Sequence, residues 1–168
     1  MRREIGKFGI SDKRGRVYTN EDPYAAALAM KGTVSCDSCP AIYSNKRWQL
    51  LPETSSLPKG EIRKITCPTC RKIADNYPEG VITLRGEYLW EHEEEIRRIL
   101  KNEERRAVAK NPGERIIRMD QIGDSLIIET TEEKLAEHLG RVLHRAHHGA
   151  LQVSWGSDHT MCRVTWER

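Results

Sequence analysis

With 168 residues, 38% of them hydrophobic and 32% charged, the chain has room for one ordinary domain, or for a small module beside one, and too little apolar material for a single large core. No apolar run reaches membrane-spanning length and none follows the charged N-terminus, which argues against a membrane role and points to a soluble, cytoplasmic protein. The net charge of +3 is modest for a nucleic-acid binder, so the placing of the positive charge matters more than its sum.

Positive charge gathers first at the start of the chain, where Arg2, Arg3, Lys7, Lys13, Arg14 and Arg16 face Glu4 and Asp12. Residues 1–20 read as a basic arm, either a phosphate-contacting extension or a solvated tail. Asp22 and Pro23, then Tyr24 to Lys31 and Gly32, predict a short helix with an N-cap aspartate, proline in its first turn and glycine beyond its end. It leads into Cys36-Asp-Ser-Cys39, which is matched downstream by Cys67-Pro-Thr-Cys70. Two residues between cysteines let one tight turn aim both sulfurs at one ion, and two such pairs complete a tetrahedral coordination sphere. The pattern predicts a zinc ribbon over residues 21–78, with Cys36, Cys39, Cys67 and Cys70 as ligands to Zn2+. A reducing compartment favours ligation over disulfides. The alternatives are iron in a rubredoxin-like site, disulfides, and a redox-active pair at Cys67 and Cys70. Ala41 to Leu51 reads as a hairpin that sets Lys46 and Arg47 beside Tyr43 and Trp48. Interleaved basic and aromatic side chains could grip phosphate and stack on bases, or the rings could simply cover the metal site. Pro52 to Gly60 is an exposed connection, from which Ile62 and Ile65 lead back into Cys67.

From Val81 the periodicity changes and a second unit, residues 79–168, begins. Val81 to Gly86 is a strand. Tyr88 to Lys110 is one long charged helix with Leu89, Ile96, Ile99, Leu100 and Ala107 on its buried stripe. Residues 115–121 and 125–130 are strands joined at Gly123-Asp124. Thr130-Thr-Glu-Glu133 reads as a capping box, opening a helix that buries Leu135, Leu139, Val142, Leu143 and Ala146. Residues 151–155 and 161–166 are the last strands. This order predicts an α+β fold: the zinc ribbon followed by a ferredoxin-like split β-α-β domain with an extra C-terminal strand, its antiparallel sheet backed by two helices. Alternation would put Ile82, Leu84, Ile117, Met119, Leu126, Ile128, Leu151 and Val153 in the core, and Thr83, Arg85, Arg118 and Arg163 on an open face suited to RNA. Cys162 reads as a buried small hydrophobe.

Arg141, His144, Arg145, His147 and His148 crowd one helix end. They would neutralise the helix C-terminus, while the Arg141 and Arg145 face could bind phosphate, and His144 and His148 are spaced to share a ligand. Ser157-Asp158-His159 names the residues of a hydrolase triad, but three consecutive positions cannot aim into nucleophile-base-orienter geometry. With no phosphate-binding glycine loop and no dinucleotide fingerprint, no small-molecule substrate is indicated and the chain reads as a non-enzyme.

Cys67-Pro-Thr-Cys70-Arg71, then Tyr77, Gly80 and Val81-Ile-Thr-Leu-Arg85, the long charged helix, and Arg115-Ile-Ile-Arg-Met119 resemble the archaeal and eukaryotic adaptor family for large-ribosomal-subunit export, and its shorter bacterial relatives. The resemblance runs from about Cys36 onward. It implies zinc on Cys36, Cys39, Cys67 and Cys70, and docking to ribosomal RNA or the large ribosomal subunit through RNA and protein contacts. Members of the family carry more cysteine pairs than two, and a long C-terminal extension with export signals that has no counterpart here, so nuclear export is not implied. The nucleic-acid contacts expected on this reading are Arg2, Arg3, Lys13, Arg14, Arg16, Lys46, Arg47, Trp48, Arg85, Arg141 and Arg145. A protein partner meeting the sheet or the long helix is the alternative.

Overall fold

The structure is a computed structural model and describes Tyr24 and residues 32–51, 62–157 and 160–168. The expected basic arm and the body of the helix over 22–32 lie outside the described residues. Two mixed sheets with helices make up the fold. The first is four-stranded, in the order β3-β2-β1-β4, from β1 (Val34–Cys36), β2 (Ala41–Ser44), β3 (Arg47–Leu50) and β4 (Arg63–Ile65). The hairpin of β2 and β3 forms as the sequence predicts. Its turn is Asn45-Lys46, both residues at positive φ (51° and 63°), the twist that two-residue hairpin loops require. β1 and β4 have no period-two signature. They exist because they pair in parallel, Val34 with Arg63 and Cys36 with Ile65, which lays the two cysteine turns side by side.

Helix α1 (Pro68–Ala74) starts directly on the second turn: Cys67 is its N-cap and Pro68 occupies the first helical position, where a missing N–H costs nothing. The larger sheet follows, with β5 (Gly80–Arg85), β6 (Ile116–Ile122), β7 (Ser125–Thr130), β8 (Ala150–Trp155) and β9 (Cys162–Glu167) in the order β6-β7-β5-β9-β8. Helices α2 (Glu87–Glu91), α3 (Glu93–Lys110) and α4 (Glu133–His147) complete the unit. The order of elements matches the sequence reading, but the sheet is not antiparallel throughout. β9 runs parallel to β5 and lies between it and β8, leaving β8 on the edge. Burial explains the exchange. Cys162, Val164 and Trp166 on β9 are fully buried and suit a central strand, whereas on β8 Ala150, Gln152 and Ser154 are exposed and Leu151 and Val153 are half-buried.

Four local expectations are corrected. The helix from Tyr88 is broken at His92, because the Tyr88 carbonyl accepts both the His92 N–H (3.2 Å) and His92 Nδ1 (3.0 Å), which bends the chain. No capping box forms at Thr130: α4 begins two residues late, with Glu132 as its N-cap, and Thr130 Oγ1 donates to the Glu132 carbonyl at 2.8 Å. A bulge between Ile116 and Arg118 puts Ile116, with Met119, against the core in place of Ile117. On α4 the inward position near the C-terminus belongs to His147, 5% exposed, while Ala146 is exposed.

The core of the larger unit joins Ile82, Leu84, Leu126, Ile128, Val164 and Trp166 of the sheet to Leu89, Ile96, Leu100, Leu135, Leu139 and Leu143 of the helices. Gly140 allows α4 to press onto β9, since a Cβ there would stand 2.5 Å from Val164 Cγ1. Trp166 donates from Nε1 to the His148 carbonyl at 2.6 Å. Among the described residues no helix is long and apolar enough to cross a membrane.

Candidate metal centre

The two cysteine turns converge. Cys36 lies at the end of β1 and Cys67 just past β4, and the Asp37 N–H donates to the Ile65 carbonyl at 3.1 Å, joining the turns through the backbone. Asp37 adds a side-chain tie, its Oδ2 accepting from Thr66 Oγ1 at 2.9 Å. Hydrogen bonds from Ser38 and Thr66 hold the Asp37 carboxyl below its usual range. Sγ of Cys36 lies 3.9 Å from that of Cys70, and Sγ of Cys39 lies 3.8 Å from that of Cys67. All four sulfurs fall within 4.8 Å of one another. A zinc ion bonded to sulfur at about 2.3 Å requires tetrahedral edges of about 3.8 Å, so the tetrad has the dimensions of a four-cysteine zinc site. A disulfide would bring two sulfurs to about 2 Å. All of these cysteines are free.

Backbone and side chains treat the four sulfurs unequally. Cys36 Sγ accepts from the N–H of Ser38 at 3.4 Å and of Cys67 at 3.3 Å, and Cys67 Sγ accepts from the Cys70 N–H at 3.4 Å. Arg115, from the segment before β6, donates from Nη1 to Cys70 Sγ at 3.8 Å. Burial drives the thiol of Cys67 far up and that of Cys70 up to about 11, with neighbouring sulfurs adding to the effect. Burial also opposes the ionisation of Cys36, but its backbone N–H donors outweigh it and bring the thiol to about 7. Without a cation these buried sulfurs resist four negative charges, and a divalent ion supplies the compensation that makes four thiolates compatible. The donor set therefore fits a soft or borderline metal, held by Cys36, Cys39, Cys67 and Cys70.

Arg115 is not among the site residues expected from sequence. It stands 45 residues from Cys70 along the chain, and only the packing of the second unit against the first brings it there. Outer partners of metal ligands orient them and offset their charge. Arg115→Met is expected to weaken metal retention by on the order of tenfold, read by competition with a chromophoric chelator, while Arg115→Lys retains part of the effect.

The second cluster that sequence reasoning missed ties α1 to the larger unit. Lys72, 7% exposed, lies 2.7 Å from Glu79 Oε1 and 3.3 Å from Glu132 Oε1, and donates to the Thr131 carbonyl at 3.2 Å. Oxygens of Glu79, Glu132 and Glu133 lie within 4.8 Å of one another, and the Lys72 ammonium touches the first two. The ammonium fills the place a cation would take.

The other expected site residues are dispersed. Lys46 and Arg47 are exposed at the hairpin turn, but Trp48 is half-buried: it packs against the cysteine cluster and meets the buried Tyr43 ring at 5.6 Å. Arg85 is exposed on the sheet face away from the helices and donates to Ser125 Oγ at 3.2 Å. Arg141 is exposed and donates to Glu137 Oε1 at 2.8 and 3.1 Å, and Arg145 is exposed one turn further on. His147 leaves that cationic group altogether: its Nδ1 lies 3.0 Å from the Tyr88 hydroxyl. Arg2, Arg3, Lys13, Arg14 and Arg16 lie outside the described residues, as do Asp158 and His159. Cys162 is fully buried, its thiol pushed up to about 11 by burial and by the nearby Glu137 and Glu133 carboxyls.

Compared with models of protein families, with curated proteins and with solved structures, the chain matches none.

Proposed function

We propose that this chain is a zinc-stapled, non-enzymatic adaptor that binds ribosomal RNA or the surface of the large ribosomal subunit. The observation that carries the metal half of this reading is the tetrad of sulfurs at tetrahedral separations, 3.8 and 3.9 Å across two of its edges. Zinc is the ion of this reading because a structural metal is what a front unit built of three- and four-residue strands needs. In this reading residues 21–78 form the zinc ribbon and residues 79–168 a ferredoxin-like mount that holds it rigidly. Support for the RNA half comes from exposed cations on both edges of the small sheet, Lys46 and Arg47 by β3 and Arg63 and Lys64 on β4, and from the basic composition of residues 1–20. The likeness of the Cys67 to Arg85 run to the ribosomal export adaptors points the same way.

The test is sedimentation from a lysate of the native cell. Expected is co-migration with large subunits that weakens steadily as salt rises, and weakens further with Lys46→Glu and Arg47→Glu. Migration free of ribosomes and RNA at low salt would sink the proposal. Metal analysis of the same preparation separates a colourless zinc protein from a red iron protein or a metal-free redox pair.

A protein partner is favoured by one observation, the balanced charge of the open sheet face. There Arg118 pairs with Glu129 at 2.7 Å, Arg85 neighbours Glu167, and Ile122 is 62% exposed; no aromatic ring lies on this face among the described residues. Such a surface lacks the excess positive charge and stacking platforms of an RNA-binding sheet. Capture of the same partner before and after nuclease treatment would favour this reading.

A further inference from the structure

The tetrad is asymmetric in a way that assigns its members different chemistry. Each N–H or guanidinium donor to a thiolate draws density from the sulfur lone pairs and lowers its nucleophilicity. Cys36 has two backbone donors, Cys67 has one, and Cys70 has Arg115. Among the described residues no N–H donates to Cys39. Cys36 and Cys67 are also buried (8% and 3% exposed), whereas Cys39, half-buried like Cys70, forms part of the wall of an open cleft. The cleft, about 410 Å³, runs between the first cysteine turn and the C-terminal half of α3, with Leu50, Val108 and Pro112 as apolar walls and Arg105 and Arg115 among its lining residues. It has room for a small reagent, and its charged lining, Arg105 and Arg115 against Glu104, is net positive, which favours negative charge developing on a departing oxygen.

We propose that Cys39 is a hydroperoxide-reactive thiolate through which oxidation opens the metal centre; this rests on the four-cysteine metal site argued above. The Cys39 sulfur attacks one peroxide oxygen, the O–O bond breaks, and the departing hydroxide takes a proton and leaves as water, giving a sulfenic acid. The Cys67 thiolate, whose sulfur is 3.8 Å from that of Cys39, attacks the oxidised sulfur and expels a second hydroxide, protonated to water. Two thiolates lose two electrons, one peroxide becomes two waters, and a Cys39–Cys67 disulfide forms. Cys36 and Cys70 alone supply half a coordination sphere, so the metal departs and the first unit loosens. A dithiol reductant reverses the disulfide.

The experiment uses the full chain. Metal is counted first: about one ion per chain sustains the site on which this inference stands, and none means that the site itself has failed. The metal-loaded protein is then treated with substoichiometric hydrogen peroxide and a dimedone-type sulfenic-acid probe. Peptide mass spectrometry orders the cysteines while a chromophoric chelator follows metal release. Expected are a first adduct on Cys39, then a Cys39–Cys67 disulfide appearing with metal release, and modification of Cys36 slower by on the order of tenfold. Val108→Trp, which fills the cleft, is expected to slow the first step by a similar factor with the metal count unchanged. A first mark on Cys70 or Cys36, equal rates at all four cysteines, or full retention of metal under peroxide would overturn the proposal in a protein that holds its metal. If Val108→Trp itself loses the metal, the order of marking in the unsubstituted chain decides.

Discussion

Cys67→Ser is expected to take the metal content from one ion per chain to none and to unfold the first unit while leaving the larger unit folded. The reason is the composition of the first unit's core. Around the centre its buried residues are Cys36, Ala41 and Cys67, with Cys39, Trp48, Leu50 and Cys70 packed against them, and beyond these the small sheet buries only Val34, Ile42 and Tyr43 among the described residues, so the ligands are a large share of its interior. Serine in place of Cys67 removes the most buried ligand and the sulfur that accepts the Cys70 N–H. A structural zinc contributes on the order of 10 kcal/mol to folding, far beyond what three- and four-residue strands could replace. The larger unit has its own continuous core from Ile82 to Trp166 and should keep its cooperative thermal transition. Hydrogen exchange is the direct measurement. Amides of β1 to β4 should lose protection in Cys67→Ser, and in the unsubstituted chain after chelation, while those of β5, β7 and β9 keep it. Retained protection across β1 to β4 after the metal is removed would show that the centre does not hold this unit together.

The parts of the fold that sequence patterns reached are those where a local signal carries enough information. The four cysteines were legible because ligand spacing is a short-range constraint. The strands of the larger unit were legible to within a residue because their alternation is repeated: Ile82 and Leu84, Leu126 and Ile128, Val164 and Trp166. β1 and β4 were not, since three residues each cannot show a period and their parallel pairing joins positions 29 residues apart. Nor could alternation say that β9 takes the place beside β5, because period two tells a strand its faces but not its neighbours. Arg115 beside Cys70, and Lys72 among Glu79 and Glu132, are partnerships between distant segments that leave no mark in either segment alone. His147 was misplaced for a different reason. A polar residue in the last turn resembles a dipole cap, and nothing local reveals that the Tyr88 hydroxyl, 3.0 Å away, meets its Nδ1 while its Nε2 is buried without a hydrogen-bond partner among the described residues.

Lys72→Met should destabilise the protein by about 3 kcal/mol near pH 8 and by distinctly less at pH 5. The ammonium sits between the Glu79 and Glu132 carboxylates, with Glu133 close behind, and its removal leaves like charges facing one another at the junction of α1 with β5 and α4. The pH dependence follows from Glu132. Burial raises its carboxyl from 4.5 to about 7, Lys72 opposes the rise, and Glu79 and Glu133 add to it. Because the folded value lies above the unfolded one, the folded state binds the extra proton between these limits. The contribution is fully present below about 4.5 and is lost as pH rises through about 7. Without Lys72 the opposing influence disappears, the folded value climbs further, and the loss extends to higher pH, so the deficit of the variant grows from pH 5 to pH 8. Glu132→Gln supplies the complementary result: it removes the titrating group, flattens the stability profile between pH 5 and 8, and lessens the cost of Lys72→Met in the double variant. Urea unfolding of the metal-loaded proteins at the two pH values measures all three. Equal deficits for Lys72→Met at both pH values, together with an unchanged profile for Glu132→Gln, would mean that Lys72 acts through packing of its methylene stem and that the carboxylates around it do not sense its charge.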